Sequence, residues 1–156
     1  MRAGTTTNTV PAEGSFAVDV RVRTPDEQER VDAALRSLRT VVPGASLEVT
    51  GGPNRPPLEE VASAALFERA RLLAQRLGQP EPMAAAVGGG SDGNFTAGVG
   101  TPTLDGLGAV GGGAHGADEH VLVDALPGRT ALLVALVADL LADPTPALET
   151  TGAHRP

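Results

Sequence analysis

Residues 84–124 read AAAVGGGSDGNFTAGVGTPTLDGLGAVGGGAHGADEHVLVD, with glycine triplets at 88–90 and 111–113. Glycine gives up more backbone freedom on folding than any other residue, and inside a helix or strand it costs about 0.5–1 kcal/mol relative to alanine. Each triplet is therefore destabilising unless its backbone turns sharply or approaches something closely. Each marks a place where the backbone turns sharply or comes close to another group. The second half of the chain must be assembled from short pieces around these two turns. The second turn also carries His115 and His120 beside Asp118 and Glu119.

The pieces can be read in order. SFAVDVRVR alternates, with Phe16, Val18, Val20 and Val22 on one face and Ala17, Asp19, Arg21 and Arg23 on the other, the pattern of a half-buried strand. TPDE then opens a helix. Thr24 is placed to cap it, Pro25 suits its first position, and Glu27 completes a capping box. Pro43-Gly44 ends that helix and SLEVT reads as a second strand, so residues 8–52 are expected as β-α-β. GGPNRPP at 51–57 is a stiff joint. Beyond it lie a helix at 58–77 closed by Gly78, a short strand MAAAV, the turn GGGSDG, and a brief helix from Asp92 to Ala97. A buried strand TPTLDGLG, the histidine loop and a helix at 126–142 follow. Leu132, Leu133, Leu136, Val137, Leu140 and Leu141 make a wide apolar stripe on that last helix. Residues 143–156 read as a disordered tail.

Composition removes several function classes. The net charge is −7, all twelve basic residues are arginine, and there is no basic run. That argues against a phosphate-backbone ligand. Only Phe16, Phe67 and Phe95 are aromatic, too few for a base-stacking platform. The absence of cysteine excludes disulfides and thiolate ligands and fits a cytoplasmic setting. MRAGTTTNTV has no apolar segment of the kind that marks a signal peptide, and the apolar run at 131–142 is short for a bilayer and contains Asp139. The expectation is a cytoplasmic chain with neither nucleic acid nor membrane as partner.

Three places invite chemistry. GGGSDG satisfies G-x-G-x-x-G between an expected strand and helix, with Asp105 as the nearest acid for a ribose. However, Asp92 would face the pyrophosphate, and repeated βαβ units are lacking; a tight packing turn is the plainer reading. In HGADEH, imidazole and carboxylate suit zinc or a similar divalent ion, though the spacing is not that of a helix-borne pair and a surface histidine is the alternative. Arg55, on the Pro-rich joint, can fork a substrate carboxylate or simply bridge two lobes. Arg21 reads as a solvated strand residue, and Asn8 carries no meaning by itself.

Four stretches nevertheless occur together and in order: TNTVPAEGSFAVDVRV, GGPNRPPLE, GGGSDGNFTAGVGTPTLDGLG and GGGAHGADEHV. In this the chain resembles the dinuclear zinc amidohydrolases that include glutamate carboxypeptidase, acetylornithine deacetylase and succinyl-diaminopimelate desuccinylase, most nearly the glutamate carboxypeptidase branch. The resemblance implies an α/β fold in which residues 5–52 are the second half of a lid and dimerisation domain. Residues 57–142 would be the C-terminal part of a zinc-aminopeptidase-like catalytic domain.

It further implies that His115 is the last histidine ligand of a zinc pair, with cobalt or manganese as possible substitutes. Arg55 would grip the substrate's carboxylate, Asn8 and Arg21 would face the substrate from the lid, and Gly90 and Ser91 would contact it through backbone. The implied partners are a carboxylate-bearing peptide or N-acyl amino acid and a second copy of the intact parent. The family's H-x-D motif, bridging aspartate and metal-site glutamate pair have no match here, and those glutamates include the general base. The chain is accordingly expected to be a C-terminal fragment, inactive alone. The alternative is a non-enzymatic interaction or dimerisation module, or one subunit of a split enzyme.

Overall fold

A computed structural model of the chain describes residues 1–144. Its framework is a pair of long helices. α1 (Pro25–Arg36) precedes them, α2 (Glu60–Arg76) and α4 (Leu126–Ala142) pack together, and the short α3 (Gly93–Gly98) lies between them in sequence. Two small antiparallel ladders complete the regular structure. β1 (Arg2–Ala3) pairs with β2 (Gly14–Ser15), and β3 (Gly111–Gly112) pairs with β4 (His120–Val121). The class is mixed α and β, as expected.

α2 buries Ala62, Leu66, Ala70, Leu73 and Ala74, a stripe at helical spacing. Small residues at 70 and 74 let α4 come close, and Leu132 and Leu136 fill the contact, with Leu104 and Leu107 packed on its flank. Arg69 ties the two helices at their far end through Asp139 (2.8 Å) and Asp143 (2.9 Å). Gln79 Nε2 donates to the Gly128 carbonyl (3.0 Å) at the near end. The end of α2 explains the turn between them. Gly78 takes φ +66°, its N–H bonds the Gln75 carbonyl, and the Gln79 N–H bonds that of Ala74. These are the paired bonds of a Schellman cap, which needs a left-handed residue.

α1 starts as expected, with Thr24 Oγ1 accepting from the Glu27 N–H (3.3 Å) and Pro25 in the first turn. The second half of the capping box does not form. Glu27 pairs with Arg30 one turn along (2.6 Å), because a guanidinium offers the carboxylate two charge-assisted donors and the backbone N–H only one neutral donor.

The expected longer strands are the main departure. Residues 16–22, 46–50, 83–87 and 101–108 enter no ladder. The alternating face of the first is open to solvent, with Phe16 70%, Val18 58% and Val20 45% exposed. A strand is completed only by neighbours that satisfy its N–H and C=O groups, and among the described residues no ladder forms on this segment. The stretch at 101–108 is still used, because Leu104 and Leu107 reach the helix pair without a ladder. The apolar run ending the described chain is also longer than its densest part. With the 3-10 turn at Val123–Ala125, the helix from Val123 to Ala142 is long and apolar enough to cross a membrane by length and composition. The shortness of 131–142 therefore carries no argument. The tail expected from residue 143 falls, beyond residue 144, outside the described residues.

Candidate functional site

The joint at 51–57 is held from several sides, and this places Arg55. From α1, Arg36 Nη2 donates to the Gly51 carbonyl (3.1 Å) and Gln28 Nε2 to the Arg55 carbonyl (2.7 Å). From α3, Asn94 Nδ2 donates to the Pro56 carbonyl (2.8 Å). Consecutive carbonyls at 55 and 56 are thus fixed by side chains of two different helices. The rigidity expected from prolines 53, 56 and 57 is reinforced by tertiary bonds.

Arg55 itself is half-buried and lies against the first glycine turn. Its Nη1 donates to the Ser91 carbonyl (3.3 Å), its Nε approaches Asn54 Oδ1 (3.4 Å), and its guanidinium carbon sits 5.1 Å from the centre of the Phe95 ring. A cation over an aromatic face is favoured by the ring quadrupole. A guanidinium has five N–H donors. The two on Nη2 have no protein acceptor among the described residues and remain available to a carboxylate.

Arg21 reaches the other end of the same turn, where Nη1 donates to the Gly88 carbonyl (3.0 Å). The two arginines singled out from sequence therefore converge on residues 88–91. They are not equivalent. Arg21 is paired with Asp19 through Nη2 (2.9 Å) and Nε (3.2 Å), so an anionic ligand would compete with an existing carboxylate. Arg55 has no carboxylate partner among the described residues.

The glycines of the turn admit these side chains. A Cβ at Gly90 would stand 3.0 Å from Arg55 Cδ, and one at Gly88 3.3 Å from Arg21 Cδ. Ser91 closes the turn. Its N–H donates to Asn94 Oδ1 (2.9 Å), and its Oγ accepts from the Gly93 N–H (3.1 Å). The Ser91 side chain first and the Gly106 N–H second hold Asp105 below its ordinary pKa. Asp105 is thus committed to the turn, and a ribose would have to displace it. The nucleotide reading loses its frame as well, since MAAAV forms no strand and α3 has only six residues.

His115 lies elsewhere, in the tight loop between β3 and β4, exposed and with φ +65°. The glycines around it serve the loop's own closure. A Cβ at Gly113 would come within 2.7 Å of the Asp118 carbonyl, and one at Gly116 within 2.7 Å of Asp118 Oδ1. These contacts give Gly113 and Gly116 a steric reason within the hairpin itself. His120 pairs with Gly112 in the ladder, with Nδ1 2.9 Å from the Asp118 carbonyl. Among the described residues no three histidine, aspartate, glutamate or cysteine side chains are grouped to hold a metal ion. One imidazole does not fit a pair of zinc ions, which need several ligands each. Asn8 is exposed between β1 and β2, with no hydrogen bond to the Arg55 cluster.

Four contributors, Gln28, Asn94, Phe95 and Asp105, carried no assigned role in the cluster from sequence. Only Asn94 left a signal, as a polar residue with low helix preference at the start of a short helix.

The chain matches peptidase family M20/M25/M40 over residues 5–139. It is 28% identical over 146 residues to carboxypeptidase G2 of Pseudomonas sp. (strain RS-16), a match covering 89% of this chain and 34% of that protein. The chain therefore spans about a third of the length of this curated relative. No solved structure matches it.

Proposed function

The chain belongs to peptidase family M20/M25/M40, and from that premise we propose that it supplies the carboxylate anchor of a metal-dependent hydrolase acting on an amide bond next to a free carboxylate. The observation that carries this reading is Arg55. It is a half-buried guanidinium on a joint fixed from two helices, over the Phe95 ring, with no acceptor on Nη2 among the described residues. Such a group binds a carboxylate in a set orientation because its planar fork is held before the ligand arrives. Gly90 and Ser91 line the approach through backbone, and Arg21 and Asn8 would meet the substrate from residues 5–52 acting as a lid and dimerisation lobe. Residues 57–142 belong on this reading to the catalytic lobe.

His115 would contribute one ligand to the metal, zinc first and cobalt or manganese otherwise, with every other ligand and the general base coming from outside this sequence. The metal would supply Lewis-acid chemistry at the scissile carbonyl. This chain's own part is to bind and orient the carboxylate. The substrates are carboxylate-bearing peptides or N-acyl amino acids, and the intact assembly is a cytoplasmic homodimer.

The test is calorimetric titration of the purified chain with N-acetylglycine and with its neutral amide. Binding of the acid and not of the amide, lost in R55A and weakened in R55K, is the expected result. Equal affinity for both ligands, or an R55A chain that binds as the wild type does, refutes the anchor. Hydrolysis of either ligand by the chain with added zinc refutes the division of labour.

A second reading has its own support in the solvent-exposed apolar face of Phe16, Val18 and Val20. Residues 16–22 would act as an interaction edge that pairs with a strand of another polypeptide, as in a split enzyme. Size measurement of the chain alone and after mixing with a candidate partner distinguishes the two readings.

A further inference from the structure

We propose that Asn94 is the positioning residue that holds Arg55 over the turn at 88–91; the inference rests on the reading of Arg55 as a carboxylate anchor and assigns its pre-organisation to one side chain. Asn94 is the buried polar residue among the described positions, and both ends of its amide are used. Oδ1 accepts from the Ser91 N–H (2.9 Å), and Nδ2 donates to the Pro56 carbonyl (2.8 Å). The Ser91 carbonyl receives Arg55 Nη1, and Pro56 is Arg55's neighbour in the chain. The bonds therefore close a ring from the Arg55 side chain through Ser91, Asn94 and Pro56 to the Arg55 backbone.

Only a group that is donor and acceptor at once can complete that ring. Aspartate keeps the acceptor for Ser91 and sets a carboxylate against the Pro56 carbonyl; alanine removes both arms. The orientation of the amide follows from its partners, since a backbone N–H needs an acceptor and a carbonyl needs a donor. Local preference does not account for the residue, because asparagine is a weak helix former. The turn itself has a second support in the bond from the Gly93 N–H to Ser91 Oγ (3.1 Å). Loss of Asn94 should accordingly free the joint from the turn while leaving the turn in place.

The experiment uses the full chain, labelled with nitrogen-15. The Arg55 Nε–Hε signal is assigned by its loss in R55K and is expected upfield of the exposed arginines, because it lies over the Phe95 ring. In N94A and N94D it should move towards the position of an exposed arginine such as Arg76 and exchange faster with water. The Arg21 signal, held at Gly88, should stay. Affinity for N-acetylglycine should fall about tenfold in both variants, the loss of roughly one charge-assisted hydrogen bond.

An Arg55 signal unchanged in both variants, with helix content by far-ultraviolet circular dichroism as in the wild type, overturns the proposal. Helix content that falls in both variants overturns it too, since Asn94 would then be a folding residue; a fall in N94A alone leaves N94D to decide. A wild-type chain that fails to bind the acid, but whose Arg55 signal responds to N94A and N94D, sustains the positioning role and refutes the anchor. The two readings thus fail separately.

Discussion

Replacing Gly90 by alanine separates the site from the fold more cleanly than any change to Arg55 itself. The new Cβ would lie 3.0 Å from Arg55 Cδ, 3.1 Å from Nη1 and 3.5 Å from Cζ. Non-bonded carbons prefer about 3.5–4.0 Å, so the guanidinium must withdraw by about 0.5–1 Å. Its bond to the Ser91 carbonyl is already 3.3 Å long and does not survive such a shift in useful geometry. Losing one bond of a charged donor is worth about 1.5 kcal/mol, or about a tenfold loss of affinity for a carboxylate that needs the guanidinium held. Gly90 is not among the residues with positive φ, so alanine meets no left-handed strain, and its gain of about 0.4–1 kcal/mol through the unfolded chain is offset by the lost bond, leaving the melt near that of the wild type. Its neighbour supplies the control. A Cβ at Gly89 meets nothing within 4 Å, and G89A should bind as the wild type does. Titration with N-acetylglycine and a thermal melt read both effects. Loss of affinity in G89A equal to that in G90A refutes the reasoning, as does a G90A chain that binds normally.

The remaining expectations concern the helix pair and pH. Leu132 is 3% exposed at the α2–α4 contact, so L132A should cost about 2–5 kcal/mol in urea unfolding followed by helix content. L141A, at a position 81% exposed, should stay within about 0.5 kcal/mol; similar costs for the two would mean that the helices do not pack as described. Asp105 is held below its ordinary pKa by the Ser91 hydroxyl first and the Gly106 N–H second. A depressed folded-state value stabilises fully above the ordinary carboxyl range of about 3.9 and is lost as pH falls through the folded value. The stability gap between wild type and D105N should therefore be present at neutral pH and close in acid. A gap that widens on acidification contradicts the assigned bonds.

What could be read from the sequence divides by the range of the interactions. The helix at 126–142 is delimited in the sequence as observed, and the one at 58–77 to within two residues, because apolar stripes and, for the latter, the Gly78 stop are written within a few positions of one another. The alternation of residues 16–22 is just as regular, yet no ladder follows, because a strand is a statement about a neighbour. Phe16, Val18 and Val20 state which face is apolar and leave open what covers it. The capping box failed for the same reason at smaller scale, since Arg30 was a better partner for Glu27 than the backbone N–H.

The site follows the same division, and this bears on how it works. Arg55 and Arg21 could be named from local context, and both reach the glycine turn. What would make Arg55 the stronger anchor is supplied by residues distant in sequence, with Gln28 from 27 positions upstream and Asn94 from 38 positions beyond Pro56. Arg21 is neutralised by Asp19, two residues away. Two arginines on one turn thus differ in availability because one found its carboxylate locally and the other was assembled from non-local bonds that leave Nη2 open. An arginine already paired can tune or release a ligand; only a pre-held guanidinium with no carboxylate partner among the described residues can fix its orientation. This asymmetry predicts the order of losses on substitution, with R55A abolishing acid binding and R21A weakening it by a few-fold at most. An R21A chain that loses binding as completely as R55A would place the anchor on the wrong arginine.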